Sequence, residues 1–553
     1  MDLSRLVRTA PGKTGLSLVE AMPLAEEPGL GALTIGGYLR EVCEQHCPAE
    51  AVVFHEDGRR ISWSYDELWQ HSVAVASALA AQGITPGERI GILMTNRPEF
   101  LSAFFGIALS GGVAVALSTF STQSELAHML EASQVTTLLF EAQVLKTDFA
   151  AMIAGLDLAS RFPALTRLVG LGDAKGFESW DQFTASGSGE HEFPEVGPSD
   201  PGGIFFSSGT TSLPKGIEHS QRAFTIQWWR WPRLFAMHEP VRAWTGNGFF
   251  WSGNISMVVG TALSTGGCIV LQSHFDAGEA LRLIEAERVT FANGRPHQWA
   301  RLQADKGWAD VDLSSLKYVP RGELIWAHPT VETDWEVPQA FGTTETMSIC
   351  TCIGREASEA DYAGSFGLPL PGNTLKIVDP MSGKVLPLGA IGEMCVKGPT
   401  LMSHYLGKSP EDCFDAEGFF CTGDSGRVDE QGRFFWLGRM TAMIKTGGAN
   451  VSPEEIDEIL ANWPGVKRVQ TVGVDDDLLG ERVVTCIVPV EGASIVEDDM
   501  IAHLKARLAS YKIPRQVLIC TEQDFAITGN EKVKPADIRA MAEQRLAVSQ
   551  GNC

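Results

Sequence analysis

Residues 202–220 read GGIFFSSGTTSLPKGIEHS, and the fold is decided in this stretch. A short apolar run of strand type empties into a turn of hydroxyl residues and glycine, and Pro214-Lys215-Gly216 follows. Ser207, Ser208, Thr210 and Thr211 bring hydroxyls and successive backbone N–H donors, Gly209 lets the backbone approach a ligand, and Lys215 adds a positive charge. Donors and a lysine placed at the end of a strand make a concave anion site, most often for phosphate. The stretch differs from the GxxxxGK[ST] loop, because no Ser or Thr follows the lysine and the spacing is different.

Outward from this turn, short apolar runs alternate with helical patterns. Arg89–Met94 reads as a strand, Pro98–Leu109 as a helix and Val113–Leu117 as a strand; Glu125–Ala132 then reads as a helix and Val135–Phe140 as a strand. Strands separated by helices require crossover connections and hence parallel sheets. From Gly364 the texture changes to short strands and turns at Leu375–Val378, Gly392–Val396, Phe419–Cys421 and Arg433–Leu437. Beyond Arg439 a glycine turn, Thr446-Gly447-Gly448-Ala449-Asn450, leads to Ser452-Pro453-Glu454-Glu455, which has an N-cap serine, a proline at the first helical position and a glutamate three residues past the cap. The fold class is therefore α/β. The expected layout is a large N-terminal domain of parallel-rich sheets with flanking helices plus a β-rich subdomain over residues 1–439, and a small mobile α+β domain over 440–553.

A chain of 553 residues exceeds what one simple core holds. Lys and Arg number 44 against 68 Asp and Glu, a net charge of −24. Such a surface repels nucleic acid and anionic lipid, so neither is expected as a partner, and any site for an anion must build its own local positive field. Eleven cysteines are scattered without paired CxxC modules, which predicts reduced core thiols in a cytoplasmic protein rather than zinc or a disulfide framework. The most apolar long stretch, Ile255–Leu271, is interrupted by Ser256, Gly260 and Ser264 and is too short for an integral membrane span.

Four more segments carry chemistry. In Phe341-Gly342-Thr343-Thr344-Glu345 a flat ring precedes a carboxylate that can hold Mg²⁺ between phosphate oxygens. Asp424 follows Thr422-Gly423, a turn that carries one carboxylate able to accept two neighbouring hydroxyl donors. Ile444-Lys445-Thr446-Gly447-Gly448 places a lysine before two glycines, which would leave room for a thin chain. Lys532 closes Thr528-Gly529-Asn530-Glu531-Lys532, a lysine at the end of a glycine-containing turn.

Together with the turn at 207–216, these segments resemble, in the same order, the motifs of the adenylate-forming superfamily: acyl-CoA synthetases, peptide-synthetase adenylation domains and firefly-type luciferases. The resemblance spans about residues 30–540 and is strongest to AMP-forming acyl-CoA ligases. It implies ATP, Mg²⁺, CoA and a small carboxylic acid as reactants, with Ser207, Ser208, Gly209, Thr210, Thr211, Lys215, Phe341, Gly342, Thr343, Thr344, Asp424 and Arg439 on ATP or AMP. It also implies Thr210 and Glu345 as catalytic and metal-binding groups, Lys532 as the catalytic lysine borne on the small domain, and Lys445, Gly447 and Gly448 on CoA. Lys532 is preferred to Lys534 because Arg539 then falls where the family often carries a basic residue. The implied reaction has two steps, acyl-adenylate formation and then thioesterification after the small domain swings about a hinge near Arg439. A monomer or a homodimer is expected.

Between the phosphate turn and Phe341 the chain is rich in aromatics. Trp244, Phe250 and Trp251 suggest a snug acyl pocket for a ring-bearing or medium- to long-chain acid rather than acetate. Two departures touch the adenylation machinery. Ser212 stands where the family usually has glycine, a cost of about 1 kcal/mol or more if that residue needs positive φ, and Ala442 replaces a polar hinge residue. Three alternatives therefore stay open: a CoA ligase, a ligase that adenylates weakly and transfers a preformed acyl-adenylate, and an enzyme loading a carrier protein.

Overall fold

The structure is a computed structural model, and it describes residues 7–9, 14–187, 189, 191–207, 213–319, 323–335, 339–353, 364–440, 444–451, 453–525 and 535–550. Its largest sheet has eight strands. Glu178–Ser179, Arg167–Leu171, Thr137–Glu141, Arg89–Leu93, Val113–Ala116 and Pro201–Ser207 run parallel side by side. Lys215–Ser220 then returns antiparallel, with Ser207 paired to Lys215. The two strands that flank residues 208–214 thus meet at the carboxyl end of a parallel strand, the place where α/β sheets bind ligands.

The crossover helices follow from local signals. Thr122 and Glu125 form a reciprocal capping box at the start of Gln123–Ser133, and Pro98 opens Pro98–Leu109, which is buried along its whole length. A second sheet, of five strands, pairs Arg242–Thr245 in parallel with Phe291–Asn293 and Cys268–Leu271, and the latter with Glu50–Glu56. Helices Ile35–His46, Tyr65–Ala81, Pro98–Leu109 and Gln221–Leu234 belong to one apolar core with residues of both sheets. The central strands Val113–Ala116 and Cys268–Leu271 are buried at every residue, so their sequences read as continuous apolar runs rather than alternating ones.

The β-rich portion is a six-stranded antiparallel sheet that holds Thr374–Val378, Gly392–Lys397, Phe420–Val428 and Phe434–Arg439. Here one expectation is corrected. Cys395 and Cys421 face each other across two strands and form a disulfide, whereas the other described cysteines are free. The pairing comes from strand register over a separation of 26 residues, which no spacing rule in the sequence announces.

The C-terminal part has its own sheet, in which Val466–Asp476 and Gly480–Pro489 form a long hairpin and Gln516–Ile519 lies parallel to the second strand. Helices Pro453–Ala461, Glu497–Lys505 and Pro535–Gln550 accompany it. No described helix is long and apolar enough to cross a membrane.

Candidate active site

The hairpin register sets Lys215 opposite Ser207 at the mouth of the phosphate turn. Residues 208–212, hence Ser208, Gly209, Thr210, Thr211 and Ser212, lie outside the described residues. The Lys215 ammonium sits 5.8 Å from the Tyr405 ring centre, and Lys408 approaches the same ring at 5.7 Å. Burial lowers the pKa of Lys215 and the nearby Lys408 lowers it further, while Glu345 opposes both. Glu345 lies in the short turn Thr344–Thr346, and the Tyr405 hydroxyl donates to its Oε1 at 2.8 Å. Two ammonium groups, a carboxylate and a phenol therefore meet beside the turn, which suits a polyphosphate with a cation.

Gly342 cannot carry a side chain, because a Cβ there would fall 1.7 Å from the Ser348 carbonyl oxygen. Thr343 N–H donates to Thr346 Oγ1 at 2.9 Å, which fixes the turn that carries Glu345. Phe341 is 7% exposed and meets Phe434 edge-on at 5.1 Å, so only a small part of its ring is open to a base.

Asp424 and Arg439 are cross-strand partners. Asp424 Oδ1 accepts from Trp436 Nε1 at 2.9 Å and lies 3.2 Å from Arg439 Nε. Its Oδ2 is buried and has no protein partner. Burial raises the pKa of this carboxyl, and Arg439, Trp436, Lys445 and Thr422 pull it back down. A buried acceptor without a donor is costly, and a ligand hydroxyl would relieve it. Arg439 also acts on the Tyr405 hydroxyl, so the carboxylate end and the phosphate end share one electrostatic neighbourhood.

Lys445 joins the carboxylate end rather than standing apart. Its ammonium lies 4.0 Å from the Trp436 ring centre, and burial lowers its pKa against the pull of Asp424. Gly447 and Gly448 both have positive φ, of 56° and 79°. A Cβ on Gly447 would lie 3.1 Å from His297 Nδ1, and one on Gly448 would lie 2.5 Å from Arg295 Nε. The glycine turn of the C-terminal part is thus pressed against the large domain. Lys532 and Ala442 fall outside the described residues.

Of the three aromatics expected in the acyl pocket, two come together. Phe250 and Trp251 meet edge to face at 5.8 Å and line a narrow cleft with Ser118, Phe206, Ser207 and Pro214, next to the phosphate turn. Trp244 is the exception. It is fully buried in a separate apolar cluster, packed on Phe275 and Trp299 at 6.3 Å from each. Side chains alternate along a strand, and on Arg242–Thr245 the pleat has turned Trp244 into that cluster.

Tyr405, Lys408, Trp436, Arg295 and His297 were not expected at the site. Each reaches it by tertiary pairing: Tyr405 through the edge strand His404–Tyr405 beside Lys215–Ser220, and Trp436 through the strand pair that carries Asp424. Among the described residues no three His, Cys, Asp or Glu side chains gather as a metal cluster.

Comparison with known proteins places the chain in a family. Residues 39–406 match the AMP-binding enzyme family and residues 455–532 match the AMP-binding enzyme C-terminal domain. A feruloyl-CoA synthase of Amycolatopsis sp is 30% identical over 485 residues, covering 86% of this chain and 93% of that protein. An indoleacetate–CoA ligase of Aromatoleum aromaticum is 31% identical over 499 residues, covering 88% and 94%. In fold, the amide bond synthetase McbA from Marinactinospora thermotolerans superposes with a TM-score of 0.76 at 24% identity, over 91% of this chain and 99% of that one. The chain belongs to the AMP-binding enzyme family and, within it, to the AMP-forming acyl-CoA ligases.

Proposed function

We propose that the enzyme activates an apolar carboxylic acid, ring-bearing or of medium to long chain, with Mg·ATP and passes the acyl group to CoA. The observation that carries this is Asp424. It is a buried carboxylate with one oxygen unpartnered, tied by Arg439 to the same neighbourhood as Tyr405 and Glu345. In this reading Asp424 Oδ2 accepts from the ribose hydroxyls. Lys215, Lys408 and the turn from Ser207 to Thr211 hold the phosphates, and Glu345 with Thr210 would hold Mg²⁺, which would neutralise phosphate charge when bound.

The acid's carboxylate oxygen attacks the α-phosphorus, the bond to the bridging oxygen breaks, and pyrophosphate leaves. Lys532, reaching in from the domain at 440–553, stabilises the charge that develops. The small domain then swings against the large domain at 1–439. The CoA sulfur, having lost its proton, enters past Gly447 and Gly448, attacks the acyl carbon and expels AMP. No protein nucleophile is required, because the work is positioning and charge neutralisation. The choice of acid rests on Phe250 and Trp251 beside Ser207 and on relatives named for feruloyl and indoleacetyl groups. Small-molecule partners and a cytoplasmic setting complete the proposal.

A panel of carboxylic acids, assayed for AMP and acyl-CoA with CoA present, tests it. Aromatic or medium-chain acids are expected to lead, and no AMP with any acid would refute it. Pyrophosphate release without CoA separates full adenylation from transfer of a preformed adenylate. Replacing CoA by a carrier protein separates the two thiol acceptors.

A further inference from the structure

A buried ion cluster crosses the seam between the two domains. Lys512 Nζ, on the turn Ser510–Lys512, lies 2.8 Å from Glu455 Oε1 of its own domain and 3.4 Å from Glu125 Oε1 of the large domain. The same Glu125 oxygen accepts from the Ala509 backbone N–H at 3.0 Å. The side chains of Lys512, Glu125 and Glu455 are exposed by only 1%, 3% and 0%. Beside the cluster, Tyr511 meets Trp251 edge-on at 6.3 Å, and Thr122 Oγ1 donates to the Arg507 carbonyl at 3.5 Å. Elsewhere on this seam Gly447 and Gly448 press on His297 and Arg295.

We infer that Glu125 is a positioning residue for the thioester step, a latch that holds the small domain with its Gly447-Gly448 turn against the large domain through Ala509 and Lys512. The inference rests on the two-step reading above. Its logic is that of unequal contacts in two poses. Lys512 and Glu455 travel together, so their pair survives any swing of the small domain. The bonds to Glu125 exist only while the domains are docked in this pose. A carboxylate buried by docking needs those partners, because a buried charge without them is strongly unfavourable.

Glu125 also has a local duty, which the test must preserve. Its Oε2 accepts from the Thr122 N–H at 3.0 Å and closes the capping box of Gln123–Ser133. Glutamine supports a capping box as glutamate does, so Glu125→Gln keeps the cap and removes the charge facing Lys512. Glu125 and Lys512 also border the cleft of Phe250 and Trp251, so KM for the acid is read alongside; at saturating acid, pyrophosphate release without CoA should stay within about twofold of the unmodified enzyme. Thioester formation from added acyl-adenylate and CoA should fall about tenfold, the weight of one charge-assisted hydrogen bond. Hydrogen exchange at the Ala509 amide should quicken. Lys512→Met should slow the same step, and the double variant should be no slower than the worse single one, because both break one contact.

Equal losses in both half-reactions would overturn the inference, as would unchanged exchange at Ala509 in Glu125→Gln. The exchange arm needs no turnover. An enzyme that fails to adenylate any acid would therefore refute the ligase reading while the latch is still judged by Ala509.

Discussion

Replacing Asp424 by asparagine tests the carboxylate end of the site without disturbing its shape. In the folded chain Oδ1 is held by Trp436 Nε1 at 2.9 Å and by Arg439 Nε at 3.2 Å, while Oδ2 is buried and unpartnered. An asparagine can keep its oxygen toward Trp436 and would then present an NH₂ group where the account places the ribose hydroxyls, so a charged acceptor becomes a donor. A hydrogen bond to a charged group contributes about 1.5–3 kcal/mol, which at about 1.4 kcal/mol per tenfold corresponds to roughly 10- to 150-fold weaker ATP binding. Folding stability should hold or improve. Burial already raises the pKa of this carboxyl, so removing its charge removes a desolvation cost. The assay is KM for ATP from AMP formation, set beside a urea unfolding midpoint. An ATP affinity within twofold of the unmodified enzyme would refute the reasoning, and so would a loss of affinity that merely follows a collapse of the fold.

Trp251→Ala should change relative rates across an acid panel more than it changes KM for ATP, because Trp251 lines the cleft beside Ser207. Trp244→Ala should do the reverse of a pocket change: the urea midpoint should report a loss of about 3–5 kcal/mol, while acid preference among molecules that still fold is kept. Gly448→Ala places a Cβ 2.5 Å from Arg295 in a left-handed backbone, so thioester formation should fall about tenfold, from roughly 1–2 kcal/mol of strain, with adenylation spared. Docking should also depend on pH through Glu455, whose carboxyl is pushed up to about 7 first by burial, with Glu125 and Glu458 adding to the rise and Lys512 opposing it; Tyr511, the other titratable neighbour, is neutral in this range. The part of that rise that comes from Glu125 exists only in the docked pose, so docking binds the proton more tightly and this support is lost as pH climbs through about 7. Exchange protection at Ala509, corrected for intrinsic rates, should therefore weaken between pH 6 and 8, and Glu455→Gln should flatten that profile.

The parallel sheet was legible because its strands and helices carry strong local signals. Pro98–Leu109 reads at its structural bounds and Glu125–Ala132 within two residues of Gln123–Ser133, whose start the Thr122–Glu125 capping box fixes. The strand before the turn at 207–216 was legible because its apolar run is contiguous, and it pairs with Lys215–Ser220. What escaped the sequence is what strand pairing and domain docking create. Tyr405 reaches Glu345 across 60 residues and Lys512 reaches Glu125 across 387, and no spacing rule operates at such separations. Trp244 shows the opposite failure, since composition placed it among the pocket aromatics while the pleat of its strand turned it into a separate core. The disulfide between Cys395 and Cys421 depends on register alone.

The most direct test of the central claim is a crystal structure with a non-hydrolysable ATP analogue. The account predicts one nucleotide with its ribose hydroxyls within hydrogen-bond distance of Asp424 Oδ2 and its phosphates between Lys215 and Glu345. A nucleotide bound away from Asp424, or Lys215 and Asp424 contacting ligands in separate clefts, would contradict it.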